Sequence, residues 1–99
     1  MEIFKELTKK GYKHYYDGTV EELDDINRNN PDLHSEIMQV IMWLYEKYDI
    51  WISVDRHFDK FISKKDGVLI TFYGNRKSYF DTPKEAYSSA IQYVLNKII

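Results

Sequence analysis

Three histidines, His14, His34 and His57, are the first residues to weigh as metal ligands or proton carriers. None stands four residues from another and no H-E-x-x-H occurs, so no helix face pairs two imidazoles. Asp55, His57 and Asp59 alternate and would share one strand face, but a closed metal site needs a fourth ligand. They read as a solvated strand end. Cysteine is absent, which removes disulfides, thiolate nucleophiles and Cys-based zinc or iron–sulfur sites. Ser53, Ser63, Ser78, Ser88 and Ser89 have no G-x-S-x-G context that would activate a hydroxyl. Four scattered glycines make no phosphate-cradling loop. No catalytic residue, metal or cofactor is expected.

Carboxylates are the remaining candidates. Between Asp17 and Glu36 lie seven acids (Asp17, Glu21, Glu22, Asp24, Asp25, Asp32, Glu36) against a single base, Arg28. Acid–base catalysis would need a cleft that raises one carboxyl pKa, and a surface helix offers none. The same run can instead present negative charge to a basic groove that normally holds nucleic acid. The competing reading is a solvated helix face favoured by its own macrodipole. Nine tyrosines suggest that some rings lie on the surface, where they favour partner binding; the ordinary reading is that several line a small sheet. The expected contact residues are Glu21, Glu22, Asp24 and Asp25, with Tyr12, Tyr15 and Tyr16. If the four acids are solvated, reversal of each to Lys changes stability by no more than about 0.5 kcal/mol.

From His57 to Lys84 the balance turns, with six bases against three acids. Lys64, Lys65, Arg76 and Lys77 fall in two turns, where solubilising residues are the ordinary reading. Phosphate contact with stacking on Tyr73 or Tyr79 is the alternative. The formal net charge of −2 provides no bulk attraction to nucleic acid or anionic membrane.

The elements that must position these residues follow from periodicity. Ile3, Phe4 and Leu7 predict a short helix stopped at Gly11, followed by a tyrosine-rich loop to Gly18. Thr19 and Glu22 read as a capping box for a helix with Val20, Leu23 and Ile26 as its stripe. Asn30-Pro31 opens the next helix, whose face is Leu33, Ile37, Val40, Ile41, Leu44 and Tyr48, widened by Met38, Met42 and Tyr45. Alternation at Ile50, Ile52 and Val54 predicts a strand, and Phe58 to Ser63 a second. Asp66-Gly67 is a turn into a third strand, Val68 to Tyr73, with Val68, Ile70 and Phe72 on one face. Gly74-Asn75 is another turn, and Ser78 to Phe80 a short fourth strand or the end of a bulged third. Thr82-Pro83-Lys84-Glu85 caps a final helix with Tyr87, Ala90, Ile91, Val94, Leu95 and Ile98 inward. Trp43, Leu44, Ile52, Val54, Ile70, Phe72, Ile91 and Val94 are the expected core.

Ninety-nine residues with 43% hydrophobic content support one domain. It is an α+β fold in which an antiparallel three- or four-stranded sheet carries helices on one face, in the order α-α-α-β-β-β(-β)-α. Residues 1–30 form its acidic helical part and 31–99 an α-β-β-β-α core. That core order matches double-stranded RNA-binding domains by topology alone, giving a nucleic-acid-binding module as the alternative function. The basic cluster of that family is reduced here to Lys84 beside Glu85. No apolar run approaches the roughly 20 residues of a membrane span, and Met1 to Lys10 carries charges throughout. A cytoplasmic protein without membrane contact is expected.

Trp43-Leu44-Tyr45-Glu46-Lys47 running into Ile50-Trp51-Ile52-Ser53-Val54 is similar to the W-L-x-E-K helix end and I-x-I-x-V strand of small phage and prophage accessory proteins. Tyr79 to Ile91 resembles their aromatic-x-(S/T)-x-x-E-A-x-x-x-A-I close. The likeness spans roughly residues 36 to 98 and brings no catalytic residues. It implies a non-enzymatic protein that binds and disables a machine of a bacterial host. The sharpest version is an anti-CRISPR-like inhibitor of a defence nuclease, with a basic protein or ribonucleoprotein as partner.

Overall fold

The computed structural model describes residues 2–30, 35–70 and 79–99. Four helices, α1 (Ile3–Lys9), α2 (Val20–Asn29), α3 (Ser35–Tyr48) and α4 (Pro83–Lys97), accompany three strands, β1 (Ile52–His57), β2 (Lys60–Lys65) and β3 (Val68–Leu69). The order is α-α-α-β-β-β-α, an α+β fold with an antiparallel sheet in the order β1-β2-β3. The expected start of α3 at Pro31, Leu33, Phe72, Tyr73, the Gly74-Asn75 turn, Arg76, Lys77 and Ser78 lie outside the described residues.

Helix starts follow the expected capping chemistry. Thr19 Oγ1 accepts from the Glu22 N–H at 3.1 Å and Thr82 Oγ1 from the Glu85 N–H at 3.2 Å, each satisfying one of the donors a helix start leaves open. Pro83 stands in the first turn, where its missing N–H costs nothing. Asp66 and Gly67 both take positive φ, +50° and +83°, between the paired Lys65 and Val68. That is the conformation a two-residue Asp-Gly hairpin requires.

The sheet packs on α4, whose buried apolar side chains are Ala86, Ala90, Ile91 and Val94. α1 packs on α2 and α4, and α3 packs on α4. One cluster of buried side chains, from Ile3, Phe4 and Leu7 through Leu23, Ile37, Val40 and Leu44 to Ile52, Ile70 and Val94, joins all the layers.

Several boundaries differ from the periodic reading. Asp49 adopts φ +56° and turns the chain out of α3, so β1 begins two residues later than the alternation suggests. Val54 and Trp43 are half-buried rather than core. Trp43 lies edge-on between Tyr12 (5.4 Å) and Tyr48 (5.5 Å), with Lys47 Nζ 5.2 Å from its ring centre. The chain leaves β3 after Leu69, so Val68 is exposed while Ile70 is buried. Phe80 makes a single bridge to Phe61, with reciprocal N–H···O bonds of 2.9 and 2.8 Å. The expected fourth strand is that bridge among the described residues. Met38, Met42 and Tyr45 do not widen the buried face of α3; they stand outside it.

The loop Phe58-Asp59 joins β1 to β2 between the pair His57 and Lys60. Phe58 takes φ +59° there and is 86% exposed. Hairpins ordinarily place Gly at a first loop position of positive φ, and a bulky residue in it costs about 1–2 kcal/mol. Phe58→Gly should therefore raise the thermal midpoint by several degrees, on the order of 1 kcal/mol, while Phe58→Ala, which keeps a β-carbon, should not. Equal midpoints for the two variants would contradict this backbone assignment.

Candidate functional site

The acidic segment splits into exposed and buried members. Asp17, Glu21, Glu22 and Asp25 are exposed, but Asp24 is only 2% exposed. Its carboxylate accepts from the Phe4 N–H at 2.8 Å and the Lys5 N–H at 3.1 Å. Glu2, the residue at the start of α1, makes no side-chain cap, so α2 caps α1 from across the interface. Burial pushes the Asp24 carboxyl above its ordinary value, against the opposing pull of those two N–H groups. Asp24 is therefore a structural carboxylate and no part of a solvated face. Asp25 is exposed and pairs with Arg28 on the same helix.

The tyrosine loop is held by another buried acid. Glu36, 5% exposed in the first turn of α3, accepts from the Tyr12 hydroxyl, the Tyr16 N–H at 2.8 Å and the Tyr15 N–H at 3.0 Å. At the other end Lys47 Nζ donates to the Lys10 carbonyl at 2.8 Å. The loop thus runs antiparallel along α3. Tyr12 is buried against Phe4 and Trp43 and cannot be a contact residue. Burial, followed by the hydrogen bond and charge of Glu36, pushes its phenol well above the ordinary 10.0. Tyr16 is half-buried and its hydroxyl donates to Glu22 at 3.2 Å. Tyr15 is 74% exposed. Of the seven expected contact residues, the fold joins Tyr16 to Glu22, places Tyr15 in a groove with Gln39 and Met42 of α3, leaves Glu21 exposed and Asp25 ion-paired, and withdraws Asp24 and Tyr12.

Lys64 and Lys65, expected in a turn, lie with Lys60 in β2, and each of the three is ion-paired. Lys60 pairs with Asp81, Lys64 with Asp55 at 2.7 Å and Lys65 with Asp66 at 2.9 Å. Lys84 is buried and donates to the Asn27 and Asn30 carbonyls at the end of α2, where a cation complements the helix dipole. The residue that stood for a nucleic-acid cluster is thus a C-terminal cap.

Among the described residues, one groove of about 270 Å³ lies between the tyrosine loop and α3, and another of about 280 Å³ among α1, α2 and α4. Glu46 stands with Lys13 in the first and Glu85 with Lys84 and Arg28 in the second, and neither lining includes a histidine. Among the described residues no group of three His, Cys, Asp or Glu could hold a metal ion. No described helix is long and apolar enough to cross a membrane.

Sequence reasoning missed Asp24, Glu36 and Lys84 as buried charges, because their partners lie 19 to 57 residues away. It also missed the outward stripe of Met38, Met42 and Tyr45, joined by Trp51, whose ring lies edge-on to Tyr45 at 5.5 Å. Comparison of the chain with protein-family models, curated proteins and solved structures finds no match.

Two outcomes test this division. Asp24→Lys should cost about 3 kcal/mol or more, since it strands the buried Phe4 N–H and the partly buried Lys5 N–H beside a buried cation, while Glu21→Lys stays within about 0.5 kcal/mol. Equal urea midpoints would contradict it. Because the folded pKa of Tyr12 is raised, its stabilising contribution is intact below pH 10. It is lost as pH rises further, where the unfolded phenol ionises, with a slope of about 1.4 kcal/mol per pH unit. Tyr12→Phe should flatten the loss of stability between about pH 9 and about pH 11. An unchanged slope would place the phenol in solvent.

Proposed function

We propose that this protein is a non-enzymatic binder of a host macromolecule with a basic surface, and that Tyr15, Tyr16, Asp17, Glu21 and Glu22 make the contact. The observation that carries the reading is the exposure of Tyr15 on a backbone already fixed by Glu36. An aromatic ring that loses little freedom on binding is the kind of residue that dominates interface energies. The neighbouring carboxylates supply steering toward a basic partner.

The resemblance to phage accessory proteins supports the sharper form of the proposal. In that form the partner is a defence nuclease, and the acidic edge occupies the groove that would hold its guide or target strand. The ion pairing of Lys60, Lys64 and Lys65 and the burial of Lys84 weigh against direct nucleic-acid binding through the sheet.

Tagged protein incubated with extract of a bacterial host should enrich a basic protein or ribonucleoprotein. The double variant Tyr15→Ala, Glu21→Lys should bind that partner at least about tenfold more weakly, with the loss growing as salt is lowered. Both positions are exposed, so the variant should melt with the wild type. A folded double variant that binds as tightly as the wild type, or a wild type that enriches nothing, would overturn the proposal.

A further inference from the structure

α3 has two faces, and only one is used inside the molecule. Ile37, Val40, Ile41 and Leu44 are buried. Met38, Met42 and Tyr45 lie outward, spaced by four and then three residues. That spacing is the seam of a helix that packs against another helix. Trp51 extends the stripe beyond the end of α3 through its edge contact with Tyr45. The four side chains are between 37% and 48% exposed. They offer on the order of 400 Å² of accessible surface, within the size range of the largest patch on a monomer, which is often functional.

We propose that a second copy of this chain covers this stripe, with the two α3 helices antiparallel and a two-fold axis passing near Met42. Three features favour a second copy over another partner. First, Met38 and Tyr45 stand on either side of Met42, so antiparallel pairing sets each against the other's counterpart, the self-complementarity an isologous interface demands. Second, the rim is electrically balanced. The groove beside Met42 is flanked by exposed Lys13 and exposed Glu46, and a chain of net charge −2 meets its copy with little repulsion. Third, the stripe provides about half of the roughly 800 Å² that a standard interface takes from each partner, and Lys13, Tyr15, Gln39 and Glu46 extend it.

α3 has 14 residues, a length of about 21 Å, enough to seat the whole seam in one crossing. Tyr15 lines the same groove as Met42, so the pairing would cover part of the surface assigned to the partner. The inference stands on the α3 stripe alone and does not depend on the proposed partner.

Sedimentation velocity of the full chain tests the pairing. The mass should shift from 12.0 kDa toward twice that value as concentration rises to about 100 µM. Met42→Glu should remain monomeric, with a dissociation constant raised more than tenfold, because it sets two carboxylates against each other at the axis. Met42 is exposed, so the variant should melt as the wild type does, and Met42→Leu should keep the dimer. The chain contains no cysteine, so Met42→Cys supplies the only thiol. Two copies related by an axis at that position should join by a disulfide on air oxidation, whereas Phe58→Cys should not. A wild type that stays monomeric at about 100 µM overturns the proposal, as does a dimer that survives Met42→Glu or cross-links equally at position 58.

Discussion

The carboxylate of Glu36 is the interaction on which the N-terminal half depends. A buried carboxylate is tolerated only when donors replace the water it has lost. Here the donors are the Tyr12 hydroxyl and the N–H groups of Tyr15 and Tyr16. The loop is therefore held to α3 by the requirement to satisfy one charge. Asp24 and Lys84 repeat the arrangement at other joints: Asp24 closes the start of α1, and Lys84 closes the end of α2. α1 is seven residues long, too short to persist alone in water. Its place comes from Ile3, Phe4 and Leu7 in the core and from a cap that another helix supplies.

This wiring decides what the surface offers. A loop fixed from below can expose Tyr15 without leaving its backbone free to wander, and α2, seated by Asp24, directs Glu21 and Glu22 outward. The same burial of Glu36 and Ile37 orients α3, so Met38, Met42 and Tyr45 must point away from the core. Two surfaces, one acidic and aromatic, the other methionine-rich, thus arise from a few buried contacts. Met38 and Met42 suit an adaptable contact because the thioether chain is flexible and polarizable.

Much of the fold was legible because it is written locally. The threonine caps at Thr19 and Thr82, the proline at Pro83, the Asp66-Gly67 turn and the apolar spacing of α3 and α4 each act within a few residues. The α+β order follows from them. The buried charges were not legible, since an aspartate in a run of acids looks like its neighbours until the distant N–H groups of Phe4 and Lys5 are known. Methionine and tyrosine were ambiguous for a different reason: at helical spacing they suit a core and a surface equally well. Of the candidate site, Tyr15, Tyr16, Glu21 and Glu22 could be read from exposure-prone residue types, whereas Tyr12 and Asp24 were drawn inward by tertiary partners. Strand ends also escaped, because the left-handed turn at Asp49 delays β1 where alternation alone would begin it.

Amide hydrogen exchange at Tyr15 and Tyr16 tests the central claim most directly. These amides belong to a surface loop outside any helix or strand, where exchange is ordinarily fast. If Glu36 holds the loop, both should exchange far more slowly than the flanking amides of Lys13 and Asp17, and Glu36→Ala should release them. Exchange of Tyr15 and Tyr16 at the unprotected rate in the wild-type chain would contradict the account.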